Sequence, residues 1–112
     1  MLKEILEAAG AQVTTASSAS AAFDAIHEAR PDVIVADLGM PIVDGYELIK
    51  RLRQSADGAL RAIPAAALTA YARSEDRAKA LESGFEMHLS KPIDPAELVA
   101  SIRALARRRP SP

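Results

Sequence analysis

The sequence predicts an α/β fold in which a parallel sheet lies between two layers of helices. Three observations carry that prediction. Short apolar runs alternate strictly with amphipathic stretches along the whole chain, and such alternation implies right-handed crossovers and a parallel sheet covered on both faces. Three of the runs end on or beside one polar residue, Asp37, Thr69 and Lys91. The length of 112 residues suits one domain, because domains commonly run to roughly 100–150 residues.

The elements follow in order. Leu2, Ile5, Leu6 and Ala9 recur at helical spacing, and Gly10 suits a left-handed cap, so the chain opens in a helix. The Val13-Thr14-Thr15 stretch within 11–16 reads as a short strand. A serine of the Ser17-Ser18 pair caps a helix running to about Arg30, where Pro31 and Asp32 interrupt. Residues 33–37 form a buried strand that ends on Asp37. Asp44-Gly45 opens a helix whose Tyr46, Leu48, Ile49 and Leu52 make an apolar stripe, and 54–61 reads as loop.

Residues 63–69 form the next strand, with Pro64 tolerated only at its start, where a missing N–H costs least. Ser74-Glu75-Asp76 starts a helix that Gly84 ends. Residues 85–90 are the last strand and Lys91-Pro92 a turn. Asp94 as cap, Pro95 at the first helical position and Glu97 in the first turn begin a helix to about Arg108. Residues 110–112 are expected to be a disordered tail, leaving 1–109 as the domain.

Composition narrows the function classes. The chain is 49% hydrophobic and 26% charged with a net charge of −1, which favours neither a nucleic-acid partner nor a membrane surface. It has no cysteine, so thiol catalysis, disulfides and cysteine metal sites are excluded. No apolar stretch approaches the roughly 18–20 residues that span a bilayer, and a cytoplasmic address is the default expectation.

In a parallel sheet the C-terminal strand ends share one edge, the edge where open α/β sheets do chemistry. Asp37, Thr69 and Lys91 would therefore bring a carboxylate, a hydroxyl and an ammonium together. That set suits a phosphoryl group: the carboxylate can accept it as a nucleophile, the hydroxyl can bond a phosphate oxygen, and the ammonium can offset the added charge. Taken singly, each residue has a plainer reading, as a turn former, a β-former and a solvated surface charge. Their joint placement favours the shared site.

The segments Pro31 to Pro41, Asp44-Gly45, Ala67-Leu68-Thr69-Ala70 and Gly84-Phe85 through Lys91-Pro92 together resemble the receiver domain of two-component response regulators, including those attached to hybrid histidine kinases. The resemblance covers nearly the whole chain. The separation of Asp37 and Thr69 is slightly long for the family, accounted for by the 54–61 loop, and that of Thr69 and Lys91 is as the family has it.

The resemblance implies a flavodoxin-like three-layer sandwich with strand order 2-1-3-4-5. It implies Asp37 as phosphoacceptor, Thr69 as switch hydroxyl and Lys91 as the phosphate-bonding lysine, with Mg2+ held by Asp37 and the Gly39 carbonyl, and a cis bond before Pro92. A histidine kinase or hybrid kinase would be the donor. A downstream protein would read the face around Tyr71, Arg73, Arg77, His88 and Glu97. The chain would be no enzyme beyond assisting its own aspartyl phosphorylation and dephosphorylation.

Receivers begin with a strand that ends in a pair of magnesium-binding acidic residues, and this sequence has neither; Met1 corresponds to the middle of the helix after them. The expectation is therefore an N-terminally truncated receiver whose first strand, central in the family sheet, is absent and whose hold on Mg2+ is weakened or lost. A pseudo-receiver or fragment acting only as a protein-binding module is the alternative, and strand exchange in a homodimer could fill the vacant position.

Other residues have plainer accounts. His88 stands where receivers often carry a rotameric Tyr or Phe, yet a histidine satisfied by neighbouring backbone is the simpler expectation. Met40 and Met87 suit packing. The run Arg107-Arg108-Arg109 suits a helix C-terminus better than nucleic acid. Tyr71 and Gly39 flank the path of the hydrolytic water in receivers; with a tyrosine that shields and a glycine that orients nothing, self-dephosphorylation is expected to be slow.

Overall fold

The computed structural model describes residues 2–16, 18–37, 45–69 and 74–107. Among them lie α1 (Leu2–Ala8), α2 (Ala19–Ala29), β1 (Ile34–Asp37), α3 (Gly45–Arg53), α4 (Gly58–Arg61), β2 (Ala65–Thr69), α5 (Ser74–Ser83), β3 (Met87–Ser90) and α6 (Pro95–Arg107). The expected positions Gly39, Met40, Pro41, Asp44, Tyr71 and Arg73, and the tail 110–112, lie outside the described residues.

Local chemistry accounts for most helix ends. Ser18 is the cap of the expected pair: its hydroxyl accepts from Ala21 N at 3.0 Å, and α2 closes on Arg30 in a left-handed conformation. Asp94 caps α6 through Glu97 N at 3.2 Å, with Pro95 first in the helix. Gly84 has φ of +120°, and a Cβ there would stand 2.8 Å from Arg53 Cγ, so a side chain at this position would be strained both ways.

The three strands are parallel in the order β1-β2-β3. Period-two alternation divides their side chains between two cores. Ile34, Ala36, Ala65 and Ala67 face Ile26, Leu48, Ile49, Leu52, Ala80 and Phe85 from α2, α3, α5 and the turn after α5. Val33, Val35, Ala66, Leu68, Met87 and Leu89 face Ile5 and Leu6 of α1 and Leu98, Ile102 and Leu105 of α6. This is the three-layer sandwich expected. β2 is buried throughout, and its three consecutive alanines let both helix layers approach closely; burial here overrides the weak strand preference of alanine.

Two expectations are corrected. Residues 11–16 form no strand, and all but half-buried Val13 are exposed. A strand exists only against a partner, and among the described residues the sheet ends at β1, so the β-forming stretch has no ladder to join. Three strands are described rather than four. The second correction is α4, within the segment read as loop. Asp57 caps it, accepting from Ala59 N at 2.9 Å and Leu60 N at 3.4 Å, and Leu60 is fully buried. One turn of helix is too short to show a periodicity. The strands at 33–37, 63–69 and 85–90 also prove shorter, starting at Ile34, Ala65 and Met87.

Candidate functional site

Register brings the three polar residues to one edge. Asp37 ends β1 opposite Leu68, one residue before Thr69 ends β2, and Thr69 stands opposite Ser90 at the end of β3. Lys91 N donates to Thr69 O at 2.7 Å, carrying the ladder one rung further and fixing the lysine backbone beside the threonine. The Lys91–Pro92 bond is cis, as the resemblance implies.

The side chains meet as well. Lys91 Nζ donates to Asp37 Oδ2 at 2.8 Å and lies 2.8 Å from Oδ1. The Lys91 and Asp37 side chains are 37% and 23% exposed, so the pair is wet enough to be reached and to exchange partners. Thr69 is buried, with 4% of its surface accessible, at the end of the strand between theirs. A carboxylate, a hydroxyl and an ammonium are thus brought to one sheet edge. Groups of these kinds have the chemistry to attack an electrophilic phosphorus, through a carboxylate oxygen, and to hydrogen-bond its oxygens, through a hydroxyl and an ammonium.

Mg2+ fits this residue set poorly. The cation prefers octahedral oxygen ligands, usually one or two carboxylates with waters. Among the described residues no group of three or more His, Asp or Glu side chains could hold a metal ion, and Asp37 already carries an ammonium on both oxygens. The carbonyl of Gly39 is outside the described residues.

Of the proposed interaction face, Arg77 on α5 and Glu97 on α6 are exposed. His88 is half-buried on β3, and its Nε2 is buried with no hydrogen-bond partner among the described residues. The simpler expectation of a histidine satisfied by backbone therefore does not hold for that nitrogen. By alternation His88 points away from Met87 and Leu89, toward the α3 and α5 layer.

At the opposite edge of the sheet lies a cluster that sequence reasoning missed. Arg53 Nε donates to Gly84 O at 3.0 Å, Nη1 to Arg61 O at 2.9 Å and to Ile63 O at 2.6 Å, and Nη2 to both Glu86 oxygens at 2.6 and 3.0 Å. Glu86 Oε1 in turn accepts from Ala65 N at 2.7 Å. The fork ties α3, the end of α4 and the starts of β2 and β3 together. No local signal marks it, because its partners are remote in sequence.

Known proteins share this sequence pattern and this fold. The family model for the response regulator receiver domain matches residues 1–103. An uncharacterized 14.6 kDa protein of Leptolyngbya boryana is 46% identical over 92% of this chain and 77% of its own length. The transcriptional regulatory protein PrrA of Mycobacterium tuberculosis is 38% identical over 98% of this chain and 46% of its own. For the phosphate regulon transcriptional regulatory protein PhoB of Escherichia coli the figures are 38%, 93% and 44%. The chain thus spans less than half the length of both transcriptional regulators.

Among solved structures, a response regulator from Chloroflexus aurantiacus superposes with a TM-score of 0.85 at 32% identity, covering 95% of this chain and 85% of that one. The receiver domain of the sensor histidine kinase PA1611 from Pseudomonas aeruginosa, with magnesium coordinated in its active-site cleft, gives 0.82 at 30% identity with the same coverages.

Proposed function

Because this chain belongs to the response regulator receiver family of two-component signalling, we propose that it serves as a phosphorelay receiver with Asp37 as its phosphoacceptor. An Asp37 carboxylate oxygen attacks the phosphorus of a kinase phosphohistidine, the P–N bond breaks, the imidazole leaves, and an aspartyl phosphate forms. The Lys91 ammonium moves from the carboxylate to a phosphate oxygen, and the Thr69 hydroxyl bonds another. Residues 1–109 act as one receiver domain.

The observation that carries this reading is the convergence of Lys91 Nζ on Asp37 at 2.8 Å, beside buried Thr69, at the C-terminal edge of a parallel sheet. Rearrangement of Thr69 and Lys91 is then passed to α5, β3 and α6, where Arg77, His88 and Glu97 stand, and shifts the population of a partner-binding face. The test is incubation with a small phosphoryl donor such as phosphoramidate, followed by hydroxylamine. A label that hydroxylamine releases, as it does from acyl phosphates, supports the reading, and failure to take up any label sinks it.

A second reading, a protein-binding module that accepts no phosphate, is favoured by the lack, among the described residues, of any cluster of three or more His, Asp or Glu side chains that could hold a metal ion. Strand exchange between two copies is favoured by β1 standing at the edge of the described sheet; sedimentation showing monomer alone would reject it.

A further inference from the structure

The Lys91 ammonium and a divalent cation would compete for the same two atoms. Lys91 Nζ lies 2.8 Å from each oxygen of Asp37, so either oxygen offered to a cation is already in a charge-assisted hydrogen bond. The lysine is not a passing surface charge. Its backbone is held on the sheet edge by the bond from Lys91 N to Thr69 O at 2.7 Å, which keeps the ammonium at high effective concentration beside the carboxylate.

A metal ion bound to Asp37 would have to displace that ammonium or sit against it, and two cations within a few ångströms repel. Displacement would need compensating ligands. Among the described residues Asp37 belongs to no cluster of three or more His, Asp or Glu side chains that could hold a metal ion. The Asp37–Lys91 pair itself sums to no net charge, so the pair exerts little pull on Mg2+.

We propose that Lys91 takes the place of a divalent cation on Asp37, so that the carboxylate draws its counter-charge from the chain itself and the unphosphorylated protein does not bind Mg2+ there at millimolar concentration. This builds on reading Asp37 as the site residue, but it concerns cation binding alone. It therefore stands or falls independently of whether Asp37 accepts a phosphoryl group.

The test is a Mg2+ titration of the unphosphorylated 112-residue chain, followed by the backbone amide shifts of Asp37 and Lys91 at constant ionic strength. The wild-type protein is expected to show no saturation up to about 20 mM Mg2+, with initial slopes equal to those of Asp37→Asn. Lys91→Met keeps the stem and removes the charge, and its initial slope should rise at least about threefold. Saturation of the wild type at or below about 20 mM Mg2+, a wild-type slope well above that of Asp37→Asn, or equal slopes for wild type and Lys91→Met would each overturn the proposal. Because the comparison with Asp37→Asn does not involve Lys91→Met, the test remains decisive should the methionine variant fold poorly.

Discussion

Lys91 Nζ bridges both carboxylate oxygens of Asp37 at 2.8 Å, across 54 positions of sequence. Only the parallel register of β1, β2 and β3 brings them together, since each residue stands at or just beyond the C-terminal end of its own strand. The contact ties the sheet's topology to the chemistry proposed for its edge.

The pair should contribute little to stability. With side chains 37% and 23% exposed, it belongs to the class of ion pairs that contribute about 1 kcal/mol or less. Asp37→Asn and Lys91→Ala should each shift the urea unfolding free energy by no more than that. A loss of phosphoryl uptake in either variant can then be assigned to the site and not to unfolding.

Thr69 separates acceptance from response. Thr69→Val keeps the shape of this buried side chain and removes the hydroxyl, at a stability cost of about 1–2 kcal/mol. The variant should still take up phosphate at Asp37, while the amide shift changes on α5 and around His88 that accompany phosphorylation should shrink. Equal changes in variant and parent would remove Thr69 from the switch.

The Arg53 fork should matter more to the fold than the proposed site does. Arg53→Met removes the donors from the part-buried Gly84 and Ile63 carbonyls and from Arg61 O and Glu86, which keeps its bond from Ala65 N, and should cost about 2–3 kcal/mol by chemical denaturation. Glu86→Gln should cost less. The double variant should fall short of the sum, because both residues belong to one network.

Acid sensitivity should include a contribution from Asp57. The hydrogen bond from Arg30 first, then those from Ala59 and Leu60 backbone, hold its carboxyl below the usual carboxylate range, and Arg30 Nη1 stands 2.8 Å away. A depressed folded-state pKa means a stabilising contribution that is complete above the unfolded value, near 4, and is lost as pH falls through the lower folded value. Asp57→Asn should flatten the dependence of Tm on pH below about 4 and leave the slope near neutrality unchanged.

Much of this molecule is legible in its sequence because the governing interactions are local. Ser18, Asp94 with Pro95, and Gly84 each set a helix end through contacts within a few residues. Asp37, Thr69 and Lys91 could be brought together on paper because a parallel sheet has one C-terminal edge. The stretch 11–16 was misread because β-preference supplies no partner, and none is described beside it. α4 was missed because Asp57 looked like any loop aspartate. Arg53 and Glu86, 33 positions apart, carry no pattern that a scan could find.

The most direct measurement is the intact mass of the chain and of Asp37→Asn after treatment with phosphoramidate, with borohydride reduction to locate the acyl phosphate. The account predicts one added phosphoryl group on the parent, mapped to Asp37, and none on the variant. An unmodified parent, or equal modification of the two, would contradict it.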